Sequence, residues 1–323
     1  MKILITGSAG FIGFHLIKKL LEKKNNNVVG IDNINNYYDI RLKHARLNEL
    51  KKFKNFKFYK IDLTEVKKID NLFKKNKIDI VINLAAQAGV RYSLKNPDQY
   101  ISSNVIGFYN LLEKMKKYKV KKLLYASSSS VYGKIKSKIF SEDLVADKQI
   151  SLYATSKKIN EVFMNFYGSV YNISNIGMRF FTVYGPYGRP DMAYFKFAKS
   201  IQNKQKIYLH NYGKHARDFT YVDDCVECII KLINVVKRKK MNTIINVAGG
   251  KKIDIKKMLT LIEKNFNRKA KISYKALQFG DVKNTFSNPK KLKNLINYKP
   301  KTTLEIGIMK FCDWYKNFYK VSS

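Results

Sequence analysis

Short unbroken apolar runs alternate with stretches of helical period through the first 180 residues. Ile3, Leu4 and Ile5 form a run of strand length, and apolar residues then return at Phe11, Leu16, Ile17 and Leu20, the spacing of one helix face. Further strands are predicted at Val28 to Ile31, Phe56 to Ile61, Ile80 to Leu84, Leu123 to Ala126 and Ile173 to Phe180. Between them fall a polar helix over 35–50, helices over 65–75 and 98–118, and one that begins at Tyr153 and continues through Lys157, Val162 and Phe166. Strand alternating with helix predicts an α/β fold built on a doubly wound parallel sheet. From Gly185 the rhythm loosens into shorter elements, with later helices over 225–235, 255–266 and 304–315. No internal repeat or long linker is visible.

The turn between the first strand and the first helix reads Gly7-Ser8-Ala9-Gly10-Phe11-Ile12-Gly13, a GxxGxxG spacing. Gly7 permits the tight turn, Gly10 lets backbone approach a ligand, and Gly13 lets the helix pack against the strand. Open amides and the helix dipole then suit a pyrophosphate. The second strand ends in Asp32, about 20 residues after the loop, where a ribose-binding carboxylate is expected. An acid there repels the extra phosphate of NADP, so the cofactor expected is NAD. Asp62, after the third strand, is placed either to meet an adenine amino group or to cap the next helix. The small residues Ala85, Ala86, Ala88 and Gly89, around Gln87, suit contact with a flat cofactor. We therefore expect an NAD-binding Rossmann domain over 1–184. Residues 185–323 are then mainly a substrate-binding lobe, with some elements returning to the main domain.

Composition changes this picture little. The 323 residues allow a sizeable core, and the hydrophobic share of 45% is ordinary for a globular protein. The chain runs straight into its first strand and has no apolar stretch long enough to cross a bilayer, so a cytoplasmic enzyme without membrane partners is expected. Cys225 and Cys228 have CxxC spacing, but no second Cys or His pair lies nearby, so buried small side chains are expected rather than a metal site. The net charge of +39, from 63 Lys and Arg against 24 Asp and Glu, raises the question of nucleic acid. The lysines are dispersed over almost every polar helix face, as at Lys18, Lys19, Lys116 and Lys117, beside abundant Asn, Ile and Tyr. That dispersal fits compositional drift with lysine filling solvated positions; the charge also helps attract an anionic substrate.

The candidate chemistry lies in Tyr153-Ala154-Thr155-Ser156-Lys157 and in the serines Ser127 to Ser130 after the fifth strand. Tyr153 and Lys157 stand at i and i+4 and share a helix face. A phenol with a reference pKa of ~10 is a poor base, and a neighbouring ammonium favours its phenolate. Tyr153 could then take a proton from a sugar hydroxyl while hydride passes to nicotinamide. Ser128, three residues before Val131, is the serine expected to hydrogen-bond the same oxygen.

These residues resemble the extended short-chain dehydrogenase/reductase family, the NAD-dependent epimerases and dehydratases of nucleotide sugars, over nearly the whole chain. Within it, the strings Ala86 to Ser93, Phe181 to Pro186, Gly188 to Met192 and Arg217 to Tyr221 resemble the UDP-glucuronate 4-epimerases. The resemblance implies a tightly held NAD that oxidises C4 of the sugar, rotation of the 4-keto intermediate and return of hydride to its other face. It implies cofactor contacts at Gly7, Gly10, Phe11, Ile12, Gly13, Asp32, Asp62, Leu63, Ala85, Ala86, Asn104, Tyr153, Lys157 and Phe180. On the substrate side it implies Arg91, Ser128, Thr182 and Arg189, with Thr182 and Arg189 approaching the glucuronate carboxylate, for which a guanidinium fork is suited. Arg217 would meet the diphosphate, and Asp281 would lie near the uridine. The chain departs from the family's usual strings at Lys148-Gln149, where His-Pro is common, and at Asn288, where an acid is common.

A UDP-glucose or UDP-N-acetylglucosamine 4-epimerase is the near alternative. A 4,6-dehydratase is disfavoured, since Ser129 and Ser130 stand where its Asp-Glu pair is needed. A noncatalytic NAD-binding protein associated with RNA would be expected to have lost Tyr153 or Lys157, and both are present. The family also implies a homodimer formed by the helices of 98–118 and 153–168.

Overall fold

The computed structural model describes all residues except 24, 136, 138, 277–285 and 322–323. Among the described residues the strands are β1 (Lys2–Thr6), β2 (Asn27–Asp32), β3 (Phe56–Lys60), β4 (Ile80–Asn83), β5 (Lys122–Ser128), β6 (Ser174–Phe180), β7 (Thr182–Tyr184), β8 (Lys206–His210), β9 (Ala216–Tyr221), β10 (Asn242–Val247), β11 (Lys252–Asp254) and β12 (Lys271–Lys275). The helices are α1 (Phe11–Leu21), α2 (Ile40–Lys51), α3 (Val66–Lys75), α4 (Pro97–Tyr100), α5 (Gly107–Lys117), α6 (Leu152–Val170), α7 (Ala193–Gln202), α8 (Val222–Arg238), α9 (Ile255–Phe266), α10 (Lys290–Ile296) and α11 (Leu304–Tyr319).

Seven strands form one sheet in the order β10-β6-β5-β4-β1-β2-β3, with parallel pairing throughout β1 to β6. This is the doubly wound sheet that the apolar runs predict. Residues Ile3, Leu4 and Ile5 are fully buried because helices cover both faces. Leu4, Val81 and Leu123 share one apolar cluster with Ile69, Phe73, Leu111 and Met164 from α3, α5 and α6. The strand order reverses beside β1, between β2 and β4. That switch point leaves a crevice at the carboxyl ends of β1 and β4, where ligands of open α/β sheets bind.

Two predicted helices differ in detail. The stretch over 98–118 is not one α-helix: α4 gives way to a π turn over Ile101–Ile106 before α5 begins. The polar stretch over 35–50 becomes helical only at Ile40. Before it, Asn33 Oδ1 accepts from the Asn35 amide at 3.1 Å and Asp39 caps the Arg41 amide at 3.0 Å, so short polar side chains hold the backbone in turns.

The chain divides into two compact units. The first comprises Met1–Ile135, Glu142–Phe180 and Val226–Ile245; the second comprises Lys136–Ser141, Phe181–Cys225 and Asn246–Ser323. In the second, β7 and β9 pair in parallel, β9 and β11 antiparallel, and β8 pairs with β12. Its core is aromatic: Phe311 lies edge-on to Tyr194 at 4.8 Å between ring centroids, and Phe195 packs on Tyr315 at 5.3 Å.

Candidate active site

The glycine turn of the first unit is closed by the Gly10 amide donating to the Gly7 carbonyl at 2.9 Å. Gly7 has φ +71°, which glycine adopts without strain. A Cβ on Gly13 would stand 2.2 Å from the Gly7 oxygen, so only glycine brings α1 this close to the turn. Helix α1 starts at Phe11, beside Ile12, with Gly10 as N-cap, no side chain capping it and no acid in its first turn. Across the crevice, Ala85 donates its amide to Thr6 Oγ1 at 3.0 Å, which seats the loop of Ala85 and Ala86 beside the glycine turn.

Asp32, at the end of β2, is 9% exposed and holds two loops at once. Its Oδ2 accepts from the Ala9 amide of the glycine turn at 3.1 Å and its Oδ1 from the Ile34 amide at 2.8 Å. A carboxylate has about four acceptor positions, so capacity for ribose hydroxyls is left. Two buried cations from α2 stand behind it. Arg46, with no exposed surface, donates to the Ala9 carbonyl at 2.8 Å and to Tyr38 at 2.7 Å. Lys43 donates to the Asn35 carbonyl at 2.8 Å; burial lowers its pKa, and the Asp32 charge opposes that. Asp62 forms a turn, accepting from the Thr64 amide at 2.9 Å and from Asn33 Nδ2 at 2.6 Å. Leu63 is buried, and its carbonyl accepts from Asn110 at 3.0 Å.

Helix α6 carries Tyr153 and Lys157 and is capped by Ser151, whose hydroxyl accepts from the Ala154 amide at 3.2 Å. Lys157 is 1% exposed; burial lowers its ammonium to about 8, and it donates to the Ala126 carbonyl at 2.9 Å. Ser128 ends β5 two residues after Ala126, and its Oγ accepts from the Ser130 amide at 3.1 Å. Tyr153 packs edge-on against Tyr100 at 6.1 Å, and the Tyr100 hydroxyl reaches the Ala88 carbonyl at 2.8 Å. Asn104 sits in the π turn and joins the two parts of the site: Oδ1 accepts from the Gln87 amide at 2.7 Å, while Nδ2 donates to Ser156 Oγ at 3.0 Å. Phe180 ends β6, and Arg91 is an exposed residue ahead of a 3-10 turn.

In the second unit, Thr182 opens β7 and Arg217 lies on β9, where its Nη1 donates to the Ala216 carbonyl at 3.0 Å. Arg189 forms a forked pair with Asp191, with Nε to Oδ1 at 3.0 Å and Nη2 to Oδ2 at 2.5 Å. Burial works against ionisation of Asp191, but the Arg189 charge and hydrogen bond, a backbone amide and the Lys196 charge together outweigh it and hold the carboxyl below its usual range. The predicted Asp281 lies outside the described residues.

Residues 3–248 match the model of the NAD dependent epimerase/dehydratase family. The chain belongs to that family. It is 43% identical over 314 residues to the UDP-glucuronate 4-epimerase of Thermodesulfobacterium geofontis, covering 97% of this chain and 95% of the relative. It is 44% identical over 335 residues to protein CapI of Staphylococcus aureus, covering 99% and 100%. Its structure resembles that of the UDP-glucuronic acid 4-epimerase from Bacillus cereus in complex with UDP-glucuronic acid and NAD. The TM-score is 0.93 at 33% identity, over 99% of this chain and 100% of that one.

As in an NAD dependent epimerase/dehydratase, the first unit fits the dinucleotide. The Gly7 and Gly13 positions leave no room for a Cβ, the first turn of α1 has no capping side chain, and Asp32 stands beside it. Arg46, Lys43, Glu161 and Arg179 are buried charges absent from the sequence reading. A partial signal exists for two of them: Arg46 shares a face with the buried Leu42 and Leu50, and Glu161 follows Lys157 by four residues, so each charge falls on an apolar or functional face.

Proposed function

We propose that this family member is a UDP-glucuronate 4-epimerase that interconverts UDP-glucuronate and UDP-galacturonate. The observation that carries the reading is the Tyr153-Lys157 pair, anchored through the Ala126 carbonyl beside Ser128 in a unit whose glycine turn suits NAD. When bound, NAD supplies the reversible hydride acceptor for C4 of the sugar. Tyr153 takes the C4 hydroxyl proton and later returns it, Lys157 supplies the charge that favours the phenolate, and Ser128 hydrogen-bonds the same oxygen. We assign cofactor binding to the first unit and most substrate contacts to the second. Arg217 serves the diphosphate, Asp281 the uridine, and Arg91 and Thr182 the sugar. Arg189 reads the uronate, whose carboxylate would replace that of Asp191 in the guanidinium fork.

The neutral-sugar alternative draws support from the likeness to the UDP-glucose 4-epimerase of Thermotoga maritima, with a TM-score of 0.89 and 27% identity over 99% of this chain. Incubation with UDP-glucuronate, UDP-glucose and UDP-N-acetylglucosamine, followed by chromatographic separation of C4 epimers, decides between them. Conversion of the uronate is expected; conversion of neutral sugars alone would overturn the substrate assignment.

We further read the active form as a homodimer. Val162, Phe166 and Val170 are each more than half exposed and recur every four residues along α6, and Tyr109 on α5 is 45% exposed. Three buried cysteines suit a reducing cytoplasm, and surface-polysaccharide synthesis is the use we propose for the product. No helix among the described residues is long and apolar enough to cross a membrane.

A further inference from the structure

Behind the strand end that carries Ser128 lies a buried ionic cluster. Glu161, 1% exposed, is four residues beyond Lys157 and eight beyond Tyr153, on the same side of α6. Its Oε1 accepts from Ser127 Oγ at 2.6 Å and from Arg179 Nε at 2.8 Å, and its Oε2 accepts from Arg179 Nη2 at 2.8 Å. Lys158 approaches the same carboxylate at 3.6 Å. Arg179, on β6, stands opposite Ser127 in the parallel register, with its guanidinium 4.6 Å from the centroid of the Tyr132 ring.

A buried ion pair is costly to desolvate, and an apolar pair of similar volume would hold a core at least as well. What apolar contacts lack is direction. Lys157 grips the Ala126 carbonyl and Glu161 grips the Ser127 hydroxyl, so two consecutive residues of β5 are each fixed to α6. The next residue is Ser128.

We propose that Glu161 and Arg179 are positioning residues for the reaction, setting the register between the helix that bears Tyr153 and the strand end that bears Ser128. The inference rests on the acid-base reading of those two residues. It extends that reading to a pair that acts only through Ser127 and the helix face.

The test compares Glu161→Gln, Ser127→Ala and the apolar double variant Glu161→Met with Arg179→Met, all as NAD-loaded enzyme. The substrate is whichever UDP-sugar the unaltered chain converts, so a wrong substrate assignment leaves the comparison intact. Glu161→Gln is expected to lower kcat by about 10- to 100-fold with KM and bound NAD little changed. Ser127→Ala removes a single hydroxyl and is expected to lower kcat with its melting temperature preserved, which decides the matter if Glu161→Gln does not fold. The double variant is expected to recover the melting temperature but not kcat. Full kcat in Ser127→Ala, or kcat that simply follows melting temperature and NAD content across the set, would overturn the proposal.

Discussion

Lys157 Nζ donates to the carbonyl oxygen of Ala126 across 2.9 Å, tying the helix of Tyr153 to the strand that ends in Ser128. With 1% of its surface exposed, the ammonium is short of water, and burial lowers it to about 8. At about 8 it stays mostly charged at neutral pH, and under the proposed acid-base roles that charge favours the Tyr153 phenolate. Tyr153→Phe and Lys157→Met are each expected to lower kcat by at least about 100-fold. In Tyr153→Phe bound NAD should persist, measured after denaturation of the purified protein. Retention of more than a tenth of the kcat in Tyr153→Phe would remove the phenol from the chemistry.

Arg46 reaches from α2 to the carbonyl of Ala9, inside the glycine turn, at 2.8 Å. Since Asp32 holds the amide of the same residue, Ala9 is fixed from both sides of its backbone. Arg46→Met keeps the buried volume and deletes the charged donor, a loss of about 1.5–3 kcal/mol. The expected result is a lower melting temperature together with reduced NAD content, restored by excess NAD through mass action. Unchanged NAD affinity in a folded Arg46→Met protein would show that the turn does not need this support.

What the sequence revealed and what it hid follow one physical line. Gly7, Gly13 and Asp32 are legible because local geometry demands those residue types at those spacings, and Tyr153 with Lys157 because four residues make one helical turn. The alternation of apolar runs with helical stretches was enough to predict the sheet. Arg46 to Ala9 spans 37 positions and Ser127 to Glu161 spans 34, and no periodicity announces such partners. The π turn over Ile101–Ile106 was likewise hidden, because its apolar residues fit an ordinary helix. Asn104, expected as a cofactor contact, also binds Gln87 and Ser156 through its side chain, partners 17 and 52 positions away that no spacing announces.

Asp218 gives the fold a pH dependence. Burial raises its carboxyl to about 7, against the pull of backbone amides including Ser287 and Gly250 at 3.2 and 3.1 Å. The unfolded chain titrates this group near ~3.9. Between those values the folded state binds a proton that the unfolded state does not. Its stabilising contribution is therefore full below about 4 and is lost as pH rises through about 7. Asp218→Asn cannot titrate, so the melting temperature of the unaltered chain, relative to that variant, should fall by a few degrees from pH ~4 to ~8. A difference that stays flat over that range would mean that the amides keep Asp218 ionised throughout.

The apolar stripe of α6 bears on assembly. Val162, Phe166 and Val170 are 54%, 52% and 59% exposed, although the opposite face of the same helix buries Glu161 and Met164. Scattered exposed apolar residues need no explanation, but three at successive turns form a continuous strip, which is the pattern of an interface. Phe166 stands at its centre and packs edge-on against Tyr167 at 5.4 Å and Tyr171 at 5.7 Å, so its ring is held rather than loose. Placing a carboxylate there would cost little in a solvated monomer and would be strongly unfavourable inside a symmetric interface, where the two copies bring like charges together. Light scattering on the unaltered chain should give twice the 37.6 kDa chain mass, and Phe166→Glu should give a single-chain mass. A monomer in both cases would assign the strip to solvent, and a dimer in both would move the interface to another face.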